Sequence, residues 1–178
     1  MQQFFGILPA VITPVDSNEH FHLPTFEILL NRLFHAQVDG IYVCGQTGEG
    51  LQLSLEVRER AVAAAVANSP AGRKVIAHVG AASTADAVRL ARQAAKAGAH
   101  AVSSLPPGSA YSFEEVRRYY EALASASQIP VLVYYFPEFS AAIRTAEQVF
   151  DLCSIPGVVG LKFTDFDLYR LSLIQRAG

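Results

Sequence analysis

The sequence predicts an α/β protein of parallel βαβ units, best arranged as a (β/α)8 TIM barrel of which this chain carries about six units. Three observations lead there. Short Val/Ile-rich runs alternate with helix-period segments at intervals of roughly 25–30 residues, as parallel strands joined by crossover helices do. The loop after the first strand has no G-x-G-x-x-G fingerprint. The Gly-rich segment after the second strand is not followed by Gly-Lys-Ser/Thr, so the usual nucleotide-binding signatures are missing. Chemically capable residues instead fall at the C-terminal ends of several strands, at Thr13, Thr47, Tyr134 and Lys162, which is the barrel distribution. An open doubly wound sheet is the alternative arrangement of such units. A complete barrel takes about 250 residues, so the 178 residues here are short by about two units.

The elements follow in order. Ile7–Thr13 is an apolar run closed by Pro14 and reads as a first strand. Pro24–Gln37 places Phe26, Leu29, Leu30 and Leu33 at helical spacing. Gly40–Gly45 is a second, buried strand. Ser54 opens a helix in a capping-box pattern, and an Ala-rich run continues it to Asn68. Lys74–Val79 is a third strand. Ser83 or Thr84 caps the next helix, which stops at Gly98. Ala101–Leu105 is a fourth strand, and Ser112 opens a helix reaching about Ala126. Val131–Tyr135 is a fifth strand, Thr145–Cys153 a short helix, Val158–Lys162 a sixth strand and Asp165–Ala177 a last helix. No linker, low-complexity tract or shift of composition interrupts this beat, so residues 1–178 read as a single partial-barrel domain.

Composition narrows the class. The chain is 51% hydrophobic and 17% charged with a net charge of −2. That is the balance of a globular protein with a large buried fraction. No Lys/Arg cluster marks a nucleic-acid surface, and no apolar stretch reaches transmembrane length. The first residues carry no signal-peptide pattern. Cys44 and Cys153 stand isolated in apolar context and are expected to be reduced and buried, consistent with a cytoplasmic protein. The histidines have no ligand spacing, so no metal is expected.

Lys162 is one of three lysines, with Lys74 and Lys96, and it ends the apolar run Pro156–Phe163. A short Val-rich run bounded by Pro and Gly reads as a strand buried on both faces. An amine withdrawn from water loses part of the stabilisation of its charged form, which frees it for attack on a carbonyl. The plain alternative is a strand-end lysine whose head snorkels to water. Gly45-Gln46-Thr47-Gly48-Glu49-Gly50 follows the second strand; its backbone N–H groups and the Thr47 hydroxyl suit a small carboxylate, though taken alone the segment reads first as a structural glycine turn. Tyr134 ends the fifth strand, where it either moves a proton or caps the core.

In this order, Gly-x-Thr-Gly-Glu at Gly45–Glu49, Tyr-x-x-Pro at Tyr134–Pro137 and Gly-Leu-Lys at Gly160–Lys162 resemble the dihydrodipicolinate synthase / N-acetylneuraminate lyase family. The resemblance runs from Ile12-Thr13-Pro14 to Asp167-Leu168-Tyr169. It implies a (β/α)8 barrel and class I aldolase chemistry on pyruvate or a related 2-oxo acid. It implies that Lys162 forms an imine and that Tyr134 relays protons. It implies that Thr47, with backbone amides around Gln46, Thr47 and Gly48, binds the substrate carboxylate and joins the proton relay as a catalytic residue. No cofactor beyond the covalent imine is implied. The partner is a small-molecule 2-oxo acid, and the full-length form is expected to be a homo-oligomer, a dimer or tetramer.

Departures from the family pattern point to a branch. Gln46 stands where the family has Ser or Thr. Pro106-Pro107-Gly108 replaces a Pro-Tyr-Tyr or Pro-Phe-Tyr segment, so the tyrosine offered to a neighbouring subunit is absent, with Tyr111 three residues further on. Phe139 occupies the position at which the synthase branch has an arginine for its second substrate's carboxylate. Thr164, two residues after Lys162, matches a substrate-contacting threonine of the sialic-acid lyase branch. The reading is therefore an N-acetylneuraminate lyase-like enzyme, inactive as a lyase in this length alone. Another sugar-acid aldolase or dehydratase and a non-catalytic carboxylate-binding barrel are the alternatives. His78 reads as a satisfied interior or rim histidine. Asp165 and Asp167 read as N-cap and first-turn acids, and Arg117 and Arg118 as a solvated helix face. Of Tyr119 and Tyr120, one is expected to pack and the other to be partly exposed.

Overall fold

The computed structural model describes residues 4–108 and 111–177. Five parallel strands lie in sequential order: β1 (Gly40–Val43), β2 (Lys74–His78), β3 (Ala101–Ser104), β4 (Val131–Tyr135) and β5 (Val158–Phe163). Six helices accompany them among the described residues: α1 (Leu23–His35) before β1, α2 (Leu55–Ala67), α3 (Thr84–Ala97), α4 (Phe113–Ala126) and α5 (Ala146–Cys153) between successive strands, and α6 (Leu168–Ala177) after β5. Unbroken sequential order has no topological switch point, which rules out the doubly wound alternative and leaves an arc of a (β/α)8 barrel.

Strand periodicity sorts the side chains into two layers. Ile41, Val43, Val75, Ala77, Val102, Val131, Val133 and Tyr135 face the helices and join the main core with Phe26, Leu30, Ala61, Leu90, Ala91, Val116, Leu123 and Leu152. Tyr42, Ile76, Ala101, Leu105 and Tyr134 face the barrel interior and form a second cluster with Phe4, Leu8, Leu132 and Phe139. The helices start where their capping residues stand. Ser112 with Glu115, and Thr145 with Gln148, each form the reciprocal capping box. Gly98 ends α3 in the left-handed conformation, at φ 94°. Among the described residues no helix is long and apolar enough to cross a membrane.

Several expectations need correction. Ile7–Thr13 is not a regular strand. It runs parallel to β1 through a single bridge, Ala10 to Tyr42, held by Tyr42 N–H to the Pro9 carbonyl and Val11 N–H to the Tyr42 carbonyl, both 2.9 Å. Pro9 has no N–H to give a ladder, and among the described residues the segment pairs with no other strand. The capping box at Ser54 forms only by half: Ser54 accepts from Val57 N–H, but an apolar residue at that third position returns nothing. Asp167, not Asp165, caps α6 by accepting from Arg170 N–H at 2.9 Å, while Asp165 makes a turn one step earlier. Cys153 is only half buried. Tyr119 and Tyr120 are both buried, because α4 packs against α3, α5 and the sheet at once. Both hydroxyls are satisfied at Ser104, Tyr119 on its side chain and Tyr120 on its carbonyl.

Candidate active site

Lys162 and Tyr134 are register partners on the adjacent strands β5 and β4, so period-2 alternation sends both side chains inward at the C-terminal end of the sheet. The Lys162 Nζ lies 3.5 Å from the Tyr134 ring centroid and 5.2 Å from that of Tyr42. It donates one hydrogen bond, to Thr164 Oγ1 at 3.0 Å. Among the described residues no carboxylate pairs with it. Three of the expected residues, Lys162, Tyr134 and Thr164, are thus brought together. The surroundings differ from the expectation of a strand buried on both faces. β5 is the last strand of the sheet, Val159 is exposed, and Lys162 is half-buried. Beside Lys162, between β5 and the N-terminal segment, a cavity of about 460 Å³ opens against Phe4, Leu8, Tyr42, Ile76 and Leu132.

Tyr134 is buried and sits in an aromatic nest. Its ring meets Tyr42 edge-on at 6.2 Å, His78 edge-on at 5.9 Å and Phe136 in a stack at 6.2 Å. A cation over such rings is attracted to their faces, so this nest suits a positively charged nitrogen at the end of Lys162. Burial raises the Tyr42 hydroxyl well above its usual range.

The Gly45–Gly50 turn sits at the same end, after β1. Gln46 and Thr47 are exposed, and among the described residues no hydrogen bond joins the Thr47 side chain to Lys162 or Tyr134. Among the described residues neither backbone N–H of Gln46 and Thr47 finds an acceptor, whereas Gly48, Glu49 and Gly50 N–H all bond within the turn. Gly48 is buried and structural in kind: its carbonyl accepts from Thr13 Oγ1 at 2.9 Å, and a Cβ there would stand 2.6 Å from the Val11 carbonyl. Gly50 packs on Cys44, whose carbonyl would lie 1.8 Å from an added Cβ. Cys44 itself takes the left-handed conformation, at φ 57°.

Beneath this turn lies a network that the sequence reading left out. His78 is buried with both ring nitrogens engaged. Leu105 N–H donates to Nε2 at 3.1 Å, so Nδ1 carries the proton and donates to the Cys44 carbonyl at 3.0 Å. Burial first, then the charge of Arg58, push His78 down to about 3. Arg58, buried on α2, donates to the carbonyls of His78 and Gly80, each at 2.8 Å. Burial lowers its guanidinium pKa. The interior-histidine reading of His78 holds. The sequence reading missed Arg58; the signal that could have found it is its helical spacing with Ala61, Val62 and Ala65. Tyr42 was also missed; the signal that could have found it is its alternation with Ile41 and Val43 in β1.

Comparison with known proteins fits this geometry. Residues 3–177 match the model of the Dihydrodipicolinate synthetase family. The N-acetylneuraminate lyase of Rhizobium meliloti is 35% identical over 174 residues, which cover 97% of this chain and 58% of that protein. The crystal structure of N-acetylneuraminate lyase from Mycoplasma synoviae superposes with a TM-score of 0.88 at 29% identity, over 96% of this chain and 58% of that one. A dihydrodipicolinate synthase from Agrobacterium tumefaciens superposes with a TM-score of 0.87 at 30% identity, over 96% and 58%. The chain therefore spans rather more than half the length of these relatives. It belongs to the dihydrodipicolinate synthetase family.

Proposed function

We propose that this chain carries the imine-forming part of a class I aldolase or lyase acting on pyruvate or a related 2-oxo acid, closer to N-acetylneuraminate lyase than to the synthase. The observation that supports it most is the Lys162 amine on the face of Tyr134, in an inward register pair and free of any carboxylate among the described residues. The neutral amine adds to the ketone carbon of the 2-oxo acid, giving a carbinolamine. Loss of water leaves a cationic iminium linked through Nζ. The iminium draws electrons from the neighbouring C–C bond, so cleavage releases an aldehyde and leaves an enamine; protonation and hydrolysis return 2-oxo acid and free lysine. The Tyr134 and Tyr42 rings attract the iminium cation. Tyr134 is the positioned proton carrier. The Gln46 and Thr47 amides take the carboxylate, with Thr164 orienting Nζ. Phe139 favours the lyase branch, because an apolar ring offers nothing to a second carboxylate.

Imine formation and enamine protonation need only residues of this chain; cleavage of a sugar acid needs the fuller length of the relatives. The test is exchange of the pyruvate methyl protons in deuterium oxide, followed by NMR. Exchange is expected in the parent and absent in Lys162→Met. It slows by about 10²–10⁴-fold in Tyr134→Phe. Exchange at the parent rate in Lys162→Met overturns the reading. Saturable pyruvate binding without exchange favours instead a non-catalytic carboxylate-binding barrel, the reading to which Gln46 in place of a hydroxyl residue points.

A further inference from the structure

We infer that His78, held by Arg58, is a positioning residue for the Gly45–Gly50 turn, fixing the backbone whose Gln46 and Thr47 amides receive the 2-oxo acid's carboxylate. The inference rests on the proposed function for the identity of that anion, and on geometry for the rest.

The turn leaves β1 through Cys44, a non-glycine residue in the left-handed conformation at φ 57°. Such a backbone persists only where its surroundings over-determine it. Here the Cys44 carbonyl is gripped from two sides. The Nδ1–H of His78 donates to it at 3.0 Å, and Gly50 packs against it so closely that any side chain would collide. His78 cannot rotate away, because Leu105 N–H occupies its other nitrogen at 3.1 Å. One imidazole thus ties the ends of three neighbouring strands together. Arg58 fixes the next step by holding the carbonyls of His78 and Gly80, both at 2.8 Å. A buried guanidinium normally has a carboxylate partner; among the described residues this one has none, and it holds two carbonyls and lies 3.5 Å from His78 Nδ1 instead. Its positive charge also lies under a turn with two amide N–H groups that have no acceptor among the described residues.

A strut that serves folding alone and a strut that sets the anion site differ in what they change. Borohydride trapping of pyruvate on the parent chain, His78→Gln and Arg58→Lys is followed against pyruvate concentration. Loss of one buried hydrogen bond at the turn is expected to raise the half-saturating pyruvate about tenfold. The limiting trapping rate at saturation stays within about twofold in Arg58→Lys, which leaves the His78 ring in place against Tyr134. Unchanged half-saturation with a reduced limiting rate overturns the inference. Amide hydrogen exchange supplies a second readout that needs no chemistry. Exchange across residues 45–50 is expected to accelerate in both variants while that of α3 stays as in the parent; equal exchange in the turn, or acceleration shared by α3, overturns the inference. If the parent traps no pyruvate, the functional reading fails, and exchange still decides the positioning role.

Discussion

Acid should destabilise this protein through His78 before it reaches the carboxylates. The ring is buried and pushed down to about 3 by desolvation and Arg58, against about 6.5 for a histidine in an unfolded chain. A folded pKa below the unfolded one means that the unfolded state binds the extra proton. The contribution is therefore fully present above pH 6.5 and is lost progressively as pH falls from there towards 3. Between pH 7 and pH 5 the loss integrates to about 2 kcal/mol. The carboxylates held low by hydrogen bonds, Asp16, Glu56, Glu115 and Glu147, titrate below this window. His100 is also lowered, by partial burial and Lys74, but it is common to both proteins compared. The assay is urea unfolding of the parent and His78→Gln at equal low concentration, at pH 7, 6 and 5. His78→Gln starts less stable at pH 7, having lost one of the ring's bonds. It then falls by about 2 kcal/mol less than the parent on going to pH 5, equivalent to about 4–8 °C in melting temperature for a chain of this size. Identical pH dependence in the two proteins would refute a ring held neutral by its burial.

Two further outcomes follow from the same geometry. Among the described residues the outer edge of β5 is unpaired, and Val159 on it is exposed, so the 178 residues expressed alone should self-associate; light scattering should report species larger than a monomer, reduced by Val159→Lys. In a form extended to the length of its relatives, pyruvate should not condense usefully with aspartate semialdehyde, because Phe139 gives its carboxylate no partner; robust turnover of that pair in a coupled assay would reverse the branch assignment.

The architecture was legible because periodicity and punctuation agree. Ser83, Ser112 and Thr145 stand where helices begin, Gly98 stands where one ends, and five of six expected strands lie within a residue or two of their places. The first strand failed because apolar content cannot report how many ladder bonds a Pro-containing segment will find. At the site, Lys162 and Tyr134 were legible from their places at strand ends, where register brings them together, and Thr164 only through the family resemblance. The Arg58–His78–Cys44 network was not. Its parts come from α2, β2 and the end of β1, and sequence spacing says nothing about which carbonyl a buried donor will meet. Tyr119 and Tyr120 carry the same lesson: adjacent helix positions share one fate only when the helix is packed on three sides.

The central claim is that the Lys162 amine is the group that reacts. Incubation with pyruvate and borohydride, followed by peptide mass spectrometry, tests it most directly. One reduced pyruvate adduct per chain, on Lys162, is the predicted result. An adduct on Lys74 or Lys96 with Lys162 unmodified, or no adduct at saturating pyruvate, would contradict the account.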